Sequence, residues 1–260
     1  MPTLYIVATP IGNLEDMTMR AARILSEVDF ILCEDTRVTK VLLNHYKIDT
    51  PLISYHQHST LQKVEQILAL LEEDKNLALV TDAGTPGISD PGGKLVQAVL
   101  ERFGDDIRIE SVPGASAVTA ALSISGIAAD KFIFLGFPPH KKGRQTFLRK
   151  ILASEYPVVV YESKHRIIKF LEELELLSNN QFTEDEESDE ETSNSKLQIT
   201  KKSKIQNPKA KSIHLTSVVV CRELSKMYET VYRGELKNII ERIKNGKDDQ
   251  KGEFVVIIGK

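Results

Sequence analysis

Residues 77–93, LALVTDAGTPGISDPGG, constrain this chain more than any other stretch. The apolar run Leu77, Ala78, Leu79 and Val80 predicts a strand buried on both faces. A polar loop follows, carrying Gly84, Pro86, Gly87, Pro91, Gly92 and Gly93, and then an apolar helical pattern over 95–100. A buried strand that opens into a glycine-rich turn and a helix is where α/β sheets bind ligands. Glycine lets a ligand approach the main chain, and proline fixes φ, so less freedom is lost on binding. Asp82 and Asp90 stand at the two shoulders, with Thr85 and Ser89 as hydroxyls. The loop reads as one wall of a small-molecule site. Taken alone, a tight connection with no ligand explains it equally well.

Around this stretch, strand and helix patterns alternate. Strands are expected at 4–8, 30–33, 51–54, 77–80 and 107–112, with helices between them at about 17–28, after 35–36, and around Leu61, Val64, Ile67, Leu68 and Leu71. The last of these strands leads through Pro113-Gly114-Ala115-Ser116 into a small-residue helix ending near Ile124. Such alternation predicts an α/β fold with a mainly parallel first sheet. Residues 125–131 read as a boundary, giving an N-terminal α/β domain at 1–126 and a second, mixed α/β domain at 127–260. In the second half, strands are expected at 131–137, 157–161, 218–222, 229–232 and 254–258, and helices at 144–152, 166–177 and 235–244. Residues 178–212 break the pattern: TEDEESDEE carries seven carboxylates, and six lysines follow. So little apolar surface cannot offset the entropy of ordering, and the segment reads as a mobile charged insertion.

Several function classes are disfavoured. The chain has no G-x-x-x-x-G-K-[ST], no G-x-G-x-x-G and no H-E-x-x-H. No apolar run approaches the roughly 18 residues of a membrane span, and residues 1–8 lack the pattern of a signal peptide. Cys33 and Cys221 lie in apolar strand patterns and read as buried thiols in a reducing cytoplasm. His56-Gln57-His58 reads as a polar loop, since no third metal ligand stands at a recognisable spacing. The net charge of −3 gives no global signal for nucleic acid. Local basic clusters do occur at His140-Lys141-Lys142-Gly143-Arg144, at Lys164-His165-Arg166, and at Arg20 with Arg23. Each suits phosphate binding, and each is also what a solvated surface carries.

Four loops should meet at the carboxyl edge of the first sheet: 9–13, 34–37, 81–93 and 113–116. Their main-chain donors, hydroxyls, carboxylates and single arginine suit a zwitterionic ligand with an apolar ring better than a polyphosphate. Helix capping accounts for any one of these polar residues equally well.

The ordered set LYIVATPIGNLEDMTMRA, CEDTR, LVTDAGTPGISDPG, VPGASAVTAALSISG, FLGFPPHKKGR, YESKHR, CREL and KGEFVV resembles the ribosomal RNA small subunit methyltransferase I family, within the tetrapyrrole methylase superfamily. The likeness covers nearly all of the chain except 178–212. It implies S-adenosylmethionine as methyl donor in a cleft between two α/β domains, a homodimer, and 2′-O-methylation of a cytidine in the decoding region of 16S rRNA or the 30S subunit. It calls for no metal. By motif, donor contacts fall on Pro10, Asp82, Ala83, Gly84, Thr85, Ile88, Ser116 and Ala117, with Arg222 and Gly252 closing from the second domain. Candidate catalytic residues are Glu34, Arg37 and Glu162, with Asp35 and Glu223 as further possible bases. Candidate RNA contacts are Lys141, Lys142, Arg144, Lys164 and Arg166. A tetrapyrrole C-methyltransferase and a non-catalytic ribosome-binding module remain the alternative readings.

Overall fold

A computed structural model describes residues 1–56, 59–90, 92–179 and 217–259. Pro91, Gln57, His58 and nearly all of the charged insertion therefore lie outside the described residues.

The first half holds β1 (Thr3–Val7), α1 (Met19–Glu27), β2 (Phe30–Cys33), α2 (Thr36–Tyr46), β3 (Leu52–Ser54), α3 (Leu61–Glu72), β4 (Leu77–Leu79), α4 (Gly92–Phe103), β5 (Arg108–Val112) and α5 (Ala117–Ser125). Its five strands form one sheet in the order β3-β2-β4-β1-β5, every pairing parallel. Successive side chains point to opposite faces. Val7, Ile31, Cys33, Ala78 and Val112 therefore pack under α1 and α2, while Leu4, Leu32, Leu77 and Leu79 pack under α3 and α4. Helix α1 shows how local sequence and core agree. The Thr18 side chain accepts a hydrogen bond from the Ala21 amide at 3.0 Å, and Ala21, Ile24 and Leu25 form one buried stripe. Burying Ile24 and Leu25 contributes about 1.5–3 kcal/mol each. Thr60 caps α3, its side chain accepting from the Lys63 amide.

The second half holds β6 (Ile133–Phe134), α6 (Arg144–Ala153), β7 (Val158–Ser163), α7 (Ile167–Ser178), β8 (Ser217–Arg222), β9 (Thr230–Gly234), α8 (Leu236–Asn245) and β10 (Glu253–Gly259). The sheet order is β6-β7-β10-β8-β9; β6 runs parallel to β7 and the other pairings are antiparallel. Val158, Val160, Val218, Val220 and Val256 face α6, α7 and α8. Val159, Val219, Cys221, Val255 and Ile257 face the other way. Burial on both faces is why these strands read as near-continuous Val/Ile runs. The strand expected at 131–137 shrinks to two residues: Ile133 and Phe134 stand in register with β7, backbone bonds from Leu135 N to Val159 O and from Tyr161 N to Gly136 O follow, and Gly136, at φ 65°, turns the chain out of line.

The face carrying Val159 and Val255 is covered by Val118, Ala121 and Leu122 of α5. Although α5 precedes the 125–131 segment, it packs on the second sheet. The connection from β5 thus ties the carboxyl edge of the first sheet to one face of the second.

Candidate active site

Helix α2 leads from β2 outward to β3, while α4 leads from β4 the opposite way to β5. The loops leaving adjacent β2 and β4 therefore diverge and open a crevice at their carboxyl ends. Neighbouring loops are stitched to its walls. Thr9 N donates to Gly84 O at 2.9 Å, Gly84 N donates to Thr9 O at 3.1 Å, and the Thr9 hydroxyl donates to Thr81 O at 3.0 Å. The Thr85 hydroxyl donates to Ala115 O at 3.2 Å, and Asp35 N donates to Asp82 Oδ1 at 3.2 Å. Asp90 Oδ1 accepts from Gly87 N at 2.5 Å and Gly92 N at 3.0 Å, closing the central loop on itself. The Gly84 and Gly87 amides are thus engaged within the protein.

A cleft of about 810 Å³ lies between these loops and the second sheet, within the range of roughly 300–1,000 Å³ typical of small-molecule sites. Its apolar walls include Ile11, Ile88, Phe137, Tyr161, Leu224 and Val255, and its polar groups include Glu34, Asp82, Ser116 and Glu223. Left-handed backbone conformations gather at its rim: Ser89 at φ 65° on one side, and Glu223 at 52° and Gly252 at 100° on the other. Such strained non-glycine residues concentrate at functional sites. From the second half, Glu223 Oε1 accepts from Glu253 N at 2.9 Å and from Lys226 Nζ at 3.0 Å. Lys226 packs against Gly12, and the Ser225 hydroxyl donates to Asp16, so residues 223–226 are strapped to the loop after β1.

The cleft brings together Glu34, Asp82, Ala83, Gly84, Thr85, Ile88, Ser116, Ala117, Glu162, Lys164 and Gly252 of the expected set. Pro10 is buried and does not line it. Arg37 is exposed outside it and donates through Nη2 to Asp35 Oδ2 at 2.6 Å. Arg222 is buried away from it, donating to the carbonyls of Lys251, Tyr228 and Asp248, because strand alternation sets it on the face opposite Cys221. Glu162 borders the cleft, but its carboxylate is fully buried and pairs with Arg166 at 2.8 Å and Arg144 at 3.9 Å. Arg144 and Arg166 are therefore engaged in ion pairs, whereas Lys141 and Lys142 are exposed on the loop before α6. Phe137, Tyr161, Leu224 and Val255 went unrecognised in the sequence. Tyr161 and Val255 continue the alternation of Val159 and Ile257, but which face of that sheet meets a cleft is not written locally.

The carboxylates are electrostatically distinct. Burial, and then the charges of Asp82 and Asp90, push Glu34 above the usual carboxylate range. Asp82 is raised as well, by partial burial, which outweighs the hydrogen bond it accepts from the Asp35 amide. Asp35 is held at about 2 by hydrogen bonds from Arg37. Burial alone would raise Glu223, but the Glu253 amide and Lys226 outweigh it and hold it low. Glu34 and Asp82 are thus raised while Asp35 and Glu223 are held low, which makes Glu34 a candidate proton acceptor among the strand-end carboxylates.

The family profile for tetrapyrrole (corrin/porphyrin) methylases matches residues 3–240. Over 259 residues the chain is 37% identical to Ribosomal RNA small subunit methyltransferase I of Hydrogenobaculum sp. (strain Y04AAS1), covering 99% of this chain and 95% of that relative. It is 36% identical to the protein of the same name from Thermotoga maritima, covering 99% and 98% of the two chains. The chain belongs to the ribosomal RNA small subunit methyltransferase I family. A third relative of that name, from Synechocystis, is 39% identical over 99% of this chain and 79% of its own length. Among solved structures, cobalt precorrin-4 methyltransferase superposes with a TM-score of 0.59 at 19% identity, covering 99% of this chain and 94% of that one. The methyltransferase CobJ superposes at 0.63 with 16% identity, covering 100% and 95%. These two establish the fold: two α/β layers of the tetrapyrrole methylase type. No helix among the described residues is long and apolar enough to cross a membrane.

Proposed function

We propose that the protein is an S-adenosylmethionine-dependent methyltransferase acting on the ribose 2′-oxygen of a cytidine in the decoding region of 16S rRNA, in the cytoplasm and as a homodimer. The observation that carries the rRNA reading is identity of 36–39% over 99% of the chain with proteins named as rRNA methyltransferases. The ribose, the cytidine and the homodimer rest on the family resemblance of the motifs, and the ribose also on Glu34.

The cleft suits the donor chemically. Leu224, Val255 and Ile11 offer apolar surface to a purine, Ser116 and Thr85 offer hydroxyls, and Glu34 and Asp82 set negative charge where a cationic centre gains from it. Residues 82–88 and 116–117 would hold the donor from one side, and Gly252 and Val255 from the other. When bound, S-adenosylmethionine supplies an electrophilic methyl group. The chain's own task is orientation, exclusion of water and acceptance of a proton. Glu34, with its carboxyl raised, accepts the proton leaving a ribose hydroxyl as the oxygen attacks. Lys164 and His165, exposed at the cleft mouth, meet phosphate.

A labelled-methyl assay tests the reading. Purified protein is offered 30S subunits, naked 16S rRNA and a precorrin. Label in RNA, at an alkali-resistant linkage beside a cytidine, is expected. Label only in the precorrin would overturn the proposal, as would a donor that binds while labelling nothing.

A further inference from the structure

The carboxylate of Glu162 is fully buried at the end of β7, yet it serves groups that are not. Its Oε1 accepts from Ser163 N at 2.7 Å and forms an ion pair with Arg166 Nε at 2.8 Å, while Arg166 Nε donates to Ser163 Oγ at 3.3 Å. Those bonds close the turn 163–166, which exposes Lys164 and His165 at the cleft mouth. Arg166 Nη1 continues to Pro138 O at 3.0 Å. Arg144 Nη1, 3.9 Å from Glu162 Oε2, donates to Pro139 O at 3.1 Å, while Arg144 Nε bonds Glu173 Oε2 at 2.6 Å. Two guanidinium groups thus take consecutive proline carbonyls at the base of the loop carrying exposed His140, Lys141 and Lys142. The Glu162 carboxylate pairs closely with Arg166 and stands 3.9 Å from Arg144, whose nearer partner is Glu173.

This is not an arrangement selected for stability alone. Buried ion pairs of this kind are commonly matched by well-packed apolar residues. Here Glu162 Oε2 and Arg144 Nη2, both buried, have no hydrogen-bond partner. Unpaired buried polar atoms are costly in a low dielectric, so the network is poorly explained as a stabilising device. The network joins two basic segments distant in sequence: the turn 163–166, whose Lys164 and His165 line the cleft, and the loop that runs from the cleft residue Phe137 through Pro138 and Pro139 to Lys141 and Lys142.

We infer that Glu162 is a positioning residue for nucleic acid: from beneath, it sets Lys141, Lys142 and Lys164 as one phosphate-gripping edge. The inference rests on the rRNA reading above. Glu162 touches neither donor nor acceptor in this role. Preorganising the edge removes the ordering cost that three mobile lysines would otherwise impose on binding.

Glu162→Gln keeps the shape and the Oε1 acceptor but removes the charge that pairs with Arg166 and faces Arg144. Arg166→Lys keeps a cation but gives up the fork that reaches Pro138. Donor affinity is measured by calorimetry, and methylation kinetics are measured on 30S subunits or 16S rRNA at several salt concentrations. Both variants should bind donor within about two-fold of wild type. Their loss should fall on KM for RNA, at least ten-fold, rather than on kcat. The slope of log KM against log salt should shrink by about two, as it should when Lys141, Lys142 and Lys164 are replaced by alanine. Glu162→Asp should recover part of the loss. If Glu162→Gln unfolds the chain, Arg166→Lys still reads KM and slope. An unchanged KM and slope overturn the inference, and so does a collapse of kcat at unchanged KM, which would put Glu162 on the reacting groups. If wild type shows no salt-dependent RNA binding, the functional reading falls and this inference with it. A normal wild type beside unchanged variants defeats the inference alone.

Discussion

Replacing Gly252 by alanine should damage the site through Glu223. Gly252 sits at φ 100°, and a Cβ there would lie 2.5 Å from Glu223 Oε1 and 2.6 Å from its Cγ. The left-handed conformation costs a side-chain-bearing residue about 1–2 kcal/mol. The clash adds a second penalty. Glu223 Oε1 accepts from Glu253 N and Lys226 Nζ at 2.9 and 3.0 Å, so moving it weakens hydrogen bonds of the charged class, worth about 1.5–3 kcal/mol each. Total destabilisation of about 2–5 kcal/mol is expected. Gly126→Ala is the control. Gly126 is also left-handed, at φ 78°, but nothing lies within 4 Å of its added Cβ, so only the conformational penalty of about 1–2 kcal/mol applies. Thermal unfolding of the two variants, at roughly 2–4 °C per kcal/mol, separates the terms. Calorimetric titration with S-adenosylmethionine adds the functional readout. Gly252 and Glu223 line the cleft, so Gly252→Ala should weaken donor binding and Gly126→Ala should not. Equal losses of stability with normal donor affinity in both would refute the reasoning.

Other perturbations probe other walls. Glu34→Gln should lower kcat by about 10²–10⁴ with little change in donor affinity. In wild type, the acid limb of kcat/KM should lie above the ordinary glutamate range, activity falling as pH drops and Glu34 is protonated; an unchanged limb in the variant would remove Glu34 from the mechanism. Asp90→Ala should loosen the central loop, which loses its acceptor for Gly87 N and Gly92 N; Asp90→Asn, which keeps an oxygen there, should bind donor more nearly as wild type does. Asp35 has its pKa lowered to about 2 in the folded chain. Its contribution to stability should be complete above the unfolded value of 3.8 and disappear as pH falls toward 2, and Asp35→Asn should flatten that part of an acid-unfolding curve.

Much of the fold was legible because the local signals agree with the tertiary result. Continuous Val/Ile runs marked strands covered on both faces, and 77–93 announced the turn that became one wall of the cleft. Thr18 and Asp35 stand where helix starts need acceptors. Other features depend on contacts that no window of sequence contains. Helix α5 continues the pattern of the first half, yet its apolar stripe finds its partner on the second sheet. Arg222 and Glu162 stand at strand ends beside cleft residues. Which way each side chain turns follows from the face that α6–α8 cover, and that is fixed only once the sheet is assembled. Arg144 reads as the last member of a basic surface run, but its partners Glu162 and Glu173 arrive from β7 and α7. The apolar walls at Phe137 and Leu224 carry no local mark of a ligand.

The central claim is that the methyl donor sits in the cleft between the two sheets, against residues 82–88 and 116–117 on one side and 252–255 on the other. A crystal structure of the protein with the demethylated donor bound tests it most directly. Contacts to both sets of residues, with Glu34 facing the open side of the ligand, are the predicted result. A ligand held elsewhere on the chain, leaving 82–88 untouched, would contradict the account.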